Sequence, residues 1–202
     1  MEAIALIFRQ ADPKGQRRAA VFLDWDGVLN QNRANYVRTW AQVEFLHGVF
    51  EAVQRLAGSS FVVVVVTNQS AVGRGLMTCE ALTAINQGIV QQVQQAGGRI
   101  DAVYACPHRP DEGCPCRKPR PGMLLQAAVD LGIDLERSFL VGDARSDVEA
   151  GLAAGCQPIM VRTGRGTKQA AGLAASGLGR VPVVADLAAA VDLILNQLRP
   201  DP

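Results

Sequence analysis

The sequence predicts an α/β fold, a parallel sheet flanked by helices. Short runs that are apolar on both faces, FVVVVV from Phe61 to Val66 being the clearest, recur along the chain, with stretches of helical periodicity between them. Strands apolar on both faces belong in a sheet covered on both sides, and alternation of strands with helices makes that sheet parallel. Several of the runs also stop on a polar residue at their C-terminal end, where open α/β sheets place ligands.

In chain order, strands are expected at Ala20 to Asp24, Phe61 to Thr67, Ile100 to Ala105, Phe139 to Asp143, Pro158 to Arg162 and Val181 to Val184. Between them, Val49, Phe50, Val53 and Leu56 form a helical stripe, and helices are expected over Thr78 to Gln95 and Met123 to Leu131. Pro121 and Gly122 stand where the latter begins and Gly132 where it ends. Further helices are expected at Asp147 to Ala154 and Leu187 to Leu198, and Thr163 to Leu178 reads as a mobile surface connection. At 202 residues, 49% of them hydrophobic, the chain fits one domain. We place that domain at residues 20–200, with 1–19 as an N-terminal extension.

Net charge of +1 marks the surface for neither nucleic acid nor an anionic membrane. The apolar patch Ala3 to Phe8 is short and preceded by Glu2, so no signal peptide is expected. No run approaches the ~20 apolar residues that span a bilayer. A cytoplasmic protein without membrane or nucleic-acid partners is the expectation.

Asp24, Thr67 and Asp143 end three predicted strands at one rim. Asp24 and Asp26, in VFLDWDGVLN, would repel each other unless a cation neutralised them. Magnesium suits oxygen ligands and bridges carboxylate to phosphate, and Asp143, in LVGDARSD, supplies a further carboxylate. An aspartate can attack phosphorus to give an aspartyl-phosphate, and Asp24 is placed for that. Asp26 would then protonate the leaving oxygen and later deprotonate water. Thr67 and Lys118 are the candidate donors to the phosphoryl oxygens. Asn68, Arg74 and Arg117 are the expected substrate contacts. Asp147 is either a further acid near the metal or the N-cap of the helix through VEAGLAAG.

Cys106 and His108, then five residues, then Cys114 and Cys116, make two short arms. Three thiolates and an imidazole form a closed tetrahedral zinc set, so the zinc in this loop, residues 106–116, is structural. It would hold the charged Arg117 and Lys118 that follow. Cys79 and Cys156 lie outside the set and read as packing residues, and His47 as a solvated side chain.

DWDGVLN, TNQS, CRKP and GDARSD resemble, in order, the four motifs of haloacid dehalogenase (HAD) superfamily phosphatases, over Val21 to about Gly164. The resemblance implies a Rossmann-like HAD-type domain. It also implies Asp24 as nucleophile, Asp26 as general acid/base, Thr67 and Lys118 as phosphate binders, and magnesium on Asp24, Asp143 and the backbone carbonyl of Asp26. Trp25 departs from the arginine usual between the two aspartates; its side chain should point away from both. Only 40 residues separate Asp26 from Thr67, and a helix, a strand and the zinc loop fill the interval to Lys118, so no cap domain fits.

Within the superfamily, TNQSAVGRG, CPHRP, CPCRKPRPGML and the Tyr36-Val37 pair resemble the heptose 1,7-bisphosphate phosphatases, and the histidinol-phosphate phosphatases are the nearest relatives. The two differ in what the mouth of the site must attract. Arg33, Arg38, Arg74, Arg109, Arg117, Lys118 and Arg120 outnumber Asp111 and Glu112 in the loops expected there. That excess suits a second phosphate better than the ammonium of histidinol phosphate. The resemblance implies cleavage at carbon 7, so the expected reaction is removal of the 7-phosphate of D-glycero-D-manno-heptose 1,7-bisphosphate. A nucleic-acid 3′-phosphatase, a phosphomutase and a non-catalytic zinc-clipped module fit less well.

Overall fold

The computed structural model describes residues 3–9 and 16–197. Its strands are β1 (Ile4–Ile7), β2 (Ala20–Leu23), β3 (Val62–Asn68), β4 (Ala102–Cys106), β5 (Phe139–Gly142), β6 (Gln157–Val161) and β7 (Val183–Val184). They form one sheet in the order β1-β4-β3-β2-β5-β6-β7. From β2 to β7 every pairing is parallel. β2 lies between β3 and β5, with Val21 opposite Val63 on one side and Phe139 on the other. The chain thus winds outward in both directions from β2, and this reversal opens a crevice at the C-terminal edge of the central strands.

Side chains alternate between two helical layers. Val21, Leu23, Val63 and Val65 pack with helices α1 (Val49–Ala57), α2 (Cys79–Gln95) and α6 (Leu187–Asn196). Ala20, Phe22, Val62, Val64 and Val66 pack on the opposite face with α3 (Gly122–Leu131) and α4 (Arg145–Ala154). α1 buries Val49, Ala52, Val53 and Leu56, the spacing of one helical face. Thr78 caps α2 by accepting the Ala81 N–H, and Gly132, at φ 63°, ends α3. The interval between β2 and β3 holds a loop, one 3-10 turn and α1, and no second domain stands over the sheet among the described residues.

Three expectations are corrected. The apolar patch near the N-terminus, assigned to no element, is β1, which pairs antiparallel with β4 as an edge strand. Thr163 to Leu178, expected to be a mobile connection, contains α5 (Gly166–Ala170) and a 3-10 turn at Ala174–Ser176, held by Leu173, which is buried with Val148 and Met160. The helix through VEAGLAAG begins at Arg145, so Asp147 is its third residue rather than its cap. Strand and helix ends otherwise move by one or two residues, except that the last strand is only Val183–Val184. The expected C-terminal helix end, Leu198, lies outside the described residues, as do 1–2, 10–15 and 199–202. No helix among the described residues is long and apolar enough to cross a membrane. His47 is exposed, Cys156 is buried in the second layer, and Cys79, opening α2, is only partly covered.

Candidate active site

Asp24 and Asp143 directly follow β2 and β5, and Thr67 is the penultimate residue of β3. Leu23 lies beside both Val65 and Val141, so these three ends meet at one edge. There they open on a cavity of about 560 Å³ whose lining includes Asp24, Asp26, Thr67, Asn68, Arg74, Arg117, Lys118 and Asp143. Every residue expected at the phosphate site is therefore gathered in one place. Trp25 points the other way and is fully buried beside Val21 and Leu23, as strand alternation requires.

Lys118 is 3% exposed, and its ammonium meets three acceptors: Asp24 Oδ1 at 2.8 Å, Asp147 Oδ1 at 2.6 Å and the Val66 carbonyl at 2.7 Å. Burial opposes its charge, but Asp147 and Asp24 outweigh burial and hold its pKa above the ordinary lysine value. Asn68 fixes the backbone of the same residue from both sides. Its Oδ1 accepts the Lys118 N–H at 3.1 Å and its Nδ2 donates to the Lys118 carbonyl at 3.0 Å. The Asn68 amide, expected to contact substrate, is thus largely committed to Lys118.

Asp147, though not the N-cap, supports the start of α4 and also stands among the acids of the site. Its Oδ2 accepts the Ala144 N–H at 3.0 Å, which tidies the start of α4, while Oδ1 reaches Lys118. Asp143 is fully buried, and its Oδ2 accepts from Asn32 Nδ2 at 2.8 Å and from the Arg165 N–H at 2.7 Å. Two glycines permit this close approach. A Cβ on Gly27, at φ +87°, would lie 2.1 Å from Asp143 Oδ2, and one on Gly164, at φ +56°, would lie 2.3 Å from it. Thr163 Oγ1 donates to the Gly27 carbonyl at 2.6 Å and ties the two glycine segments together.

The charges of this floor do not balance within the protein. Oxygens of Asp24, Asp143 and Asp147 lie within 4.8 Å of one another. Burial pushes the Asp24 carboxyl up to about 8; the Lys118 ammonium pulls it down, and Asp147 and Asp143 push it up again. Burial also raises the Asp143 pKa, opposed by the Arg165 N–H. Asp143 Oδ1 is buried with no hydrogen-bond partner among the described residues. Three carboxylates, one ammonium and an orphaned carboxylate oxygen fit a hard divalent cation such as magnesium. Asp26 stands nearer the surface. Burial raises its pKa as well, against hydrogen bonds from Gln69 Nε2 at 3.2 Å and Asn30 Nδ2 at 3.4 Å.

Cys106, at the end of β4, meets His108, Cys114 and Cys116 in a buried cluster. Sulfur pairs are 3.4, 3.5 and 3.6 Å apart, and His108 Nδ1 is 3.3 Å from Cys116 Sγ and 3.5 Å from Cys106 Sγ. With zinc–sulfur bonds of about 2.3 Å, tetrahedral neighbours would be about 3.8 Å apart, close enough to these spacings for the four atoms to fit zinc. Lys118 follows Cys116 by two residues, and Arg117 Nη1 donates to the His108 carbonyl at 3.2 Å, so the cluster anchors the segment that delivers the lysine.

The basic residues at the mouth differ in part from expectation. Arg33, Arg74 and Arg117 line the cavity, and Arg38, Arg109 and Arg120 do not. Arg109 is held 3.0 Å from Asp111, and Arg120 donates to the Cys114 carbonyl at 2.7 Å. Arg165 lines the cavity in their stead, its side chain 62% exposed. Sequence reasoning also missed Asn32 and Gln69. Only Gln69 carried a local signal, standing in TNQS.

Known proteins resemble this chain in sequence and in fold. A HAD-hydrolase-like family model matches residues 115–190. The D-glycero-beta-D-manno-heptose-1,7-bisphosphate 7-phosphatase of Bordetella bronchiseptica is 40% identical over 178 residues, covering 88% of this chain and 98% of that protein. The enzyme of the same name from Pseudomonas aeruginosa is 39% identical over 151 residues, 75% of this chain and 85% of the other. A crystal structure of the B. bronchiseptica D,D-heptose 1,7-bisphosphate phosphatase, complexed with magnesium and phosphate, superposes with a TM-score of 0.81 over 89% of this chain and 99% of that one, at 39% identity. Identity at this level along most of both chains has one meaning: the chain belongs to the heptose-1,7-bisphosphate 7-phosphatase family of HAD-like phosphatases.

Proposed function

We propose that this protein is a magnesium-dependent phosphatase that removes the 7-phosphate of D-glycero-D-manno-heptose 1,7-bisphosphate through a phosphoaspartate on Asp24. The observation that carries the reading is the meeting of Asp24, Asp26, Thr67, Lys118 and Asp143 on one cavity, in a chain about 40% identical to enzymes of that name. Asp24 Oδ1 is engaged by the Trp25 N–H and by Lys118, both at 2.8 Å, which leaves Oδ2 for attack on phosphorus. Asp26 gives a proton to the leaving sugar oxygen and then takes one from the water that opens the phosphoaspartate. Thr67 and Lys118 donate to the phosphoryl oxygens as charge builds on them. Magnesium, held by Asp24, Asp143 and the Asp26 carbonyl, would neutralise the phosphate and lower the barrier to anionic attack.

The floor of the cavity carries the buried carboxylates, whereas Arg33, Arg74, Arg117 and Arg165 stand around it with exposed or half-exposed side chains. Arg33 is paired with Glu44 at 2.9 Å, and the other three favour a substrate with a second phosphate over one with an ammonium group. Arg74 and Arg117 contact that substrate, and Asn68 assists chiefly by holding Lys118. Zinc on Cys106, His108, Cys114 and Cys116 is structural. The catalytic domain spans residues 20–200, with 1–19 as an extension that contributes β1, and the enzyme works in the cytoplasm on a small phosphorylated sugar.

A magnesium-supported assay of phosphate release tests the reading. It compares both anomers of heptose 1,7-bisphosphate with histidinol phosphate, fructose 1,6-bisphosphate and a 3′-phosphorylated oligonucleotide. Heptose 1,7-bisphosphate should give the highest kcat/KM, with phosphate lost from carbon 7. A preference for histidinol phosphate would overturn the substrate and leave the mechanism standing.

A further inference from the structure

The side chain of Gln69 joins two groups of the proposed machinery without reaching the cavity itself. It is 1% exposed and absent from the cavity lining. Its Nε2 lies 3.2 Å from Asp26 Oδ2 and 3.0 Å from Thr67 Oγ1. The amide nitrogen faces Asp26 Oδ2, an oxygen that can accept whether the carboxyl is ionised or carries its proton on Oδ1, and the second proton of that nitrogen goes to the threonine oxygen. A hydroxyl that accepts in this way keeps its own proton for another acceptor. The backbone of Gln69 is pinned as well, its N–H donating to the Cys106 carbonyl at 2.7 Å. Gln69 is thereby tied to the end of β4, where the cysteine cluster begins.

We propose that Gln69 is a positioning residue that sets the donor and acceptor directions of both neighbours. It aims the Asp26 carboxyl toward the leaving oxygen, and it turns the Thr67 proton toward the phosphoryl group. The proposal deepens the phosphatase reading and rests on it. It makes the nearest steric substitute the worse one. Gln69→Glu keeps the shape, but an ionised carboxylate has no proton to give, repels Asp26 and draws the Thr67 proton to itself. Gln69→Met keeps the length, removes both donors and leaves the Thr67 proton free to turn toward substrate.

The experiment measures kcat/KM of the wild type and both variants on heptose 1,7-bisphosphate and on p-nitrophenyl phosphate, whose leaving group departs without a proton. General acid catalysis contributes about 100- to 10,000-fold, so a misaimed Asp26 in Gln69→Met should cost about 10- to 100-fold on the sugar phosphate. On the aryl phosphate the loss should stay within about 5-fold, since only the interactions used in that transition state register. Gln69→Glu should fall below Gln69→Met on both substrates. A second readout needs no turnover. The Gln69 side-chain amide resonances, assigned by their loss in Gln69→Met, should shift in both Asp26→Asn and Thr67→Val. Equal losses on the two substrates, Gln69→Glu at wild-type activity, or amide resonances indifferent to both neighbours would each overturn the proposal. A wild-type protein inactive on both substrates would overturn the phosphatase reading instead, and the amide resonances would still decide the placement of Gln69.

Discussion

Lys118 Nζ lies 2.8 Å from Asp24 Oδ1 and, on its other side, 2.6 Å from Asp147 Oδ1. One buried ammonium therefore serves two carboxylates, one just after β2 and one in the first turn of α4, and removing it leaves both without their cation. Lys118→Met should abolish turnover and destabilise the metal-free protein by about 3–5 kcal/mol, the usual cost of breaking a buried ion pair from one side. Denaturant unfolding checks this, and magnesium should restore part of the loss. A variant as stable as wild type would show that the pair does not carry the floor.

The same surplus of negative charge predicts a pH dependence. Burial raises the Asp24 pKa from 3.8 to about 8 in the metal-free protein. A raised folded-state pKa means the folded state holds the proton more tightly. The associated stability is complete below the ordinary value and is lost as pH rises through about 8. A divalent cation favours the ionised form, so magnesium should displace protons near neutral pH and stabilise the fold more as pH rises across this window. Calorimetric titration of magnesium in two buffers of different ionisation enthalpy should show that release. Identical apparent enthalpies in the two would contradict it.

Gly27 and Gly48 separate backbone strain from crowding at Asp143. Both have positive φ, but a Cβ on Gly27 would strike Asp143 Oδ2 at 2.1 Å, whereas one on Gly48 would meet nothing within 4 Å. Gly48→Ala should cost only the left-handed backbone penalty, about 1–2 kcal/mol, with turnover unchanged. Gly27→Ala should cost more stability and should also weaken magnesium binding by moving Asp143, raising the concentration needed for activity. Melting temperatures and the magnesium concentration for half-maximal activity read the two effects separately.

Much of this was legible in the sequence, for identifiable reasons. β2 to β6 are apolar on both faces, and a run that ends on Asp24, Thr67 or Asp143 marks its functional end by itself. β1 was not legible because a four-residue edge strand exposes alternate residues and borrows its stability from β4. Thr163 to Leu178 is rich in Gly and Ala, and α5 is only five residues long, so no periodicity could develop. Asn32 and Arg165 act on Asp143 across 111 and 22 residues of chain, contacts that no local pattern encodes. Arg109, by contrast, was misjudged despite a visible signal. Asp111 and Glu112 follow it closely and neutralise it.

Metal analysis should find about one zinc per chain, held by the three cysteines and His108. Cys114→Ser should lower zinc retention and the melting temperature. Activity should fall as well, because Cys116 stands two residues before Lys118 and the loop between β4 and α3 has no helix or strand longer than one 3-10 turn to hold it. Full activity and normal melting in zinc-free protein would make the cluster incidental.

The proposed passage of phosphate through Asp24 leaves a covalent trace that acid quenching during turnover can capture. Protein quenched within the first turnovers should carry a phosphoryl group, labile to hydroxylamine, on the peptide containing Asp24. Asp24→Asn should fold normally, carry no label and release no phosphate, since an amide keeps the shape and loses the nucleophile. Label on another residue, or undiminished turnover by Asp24→Asn, would rule out Asp24 as the nucleophile.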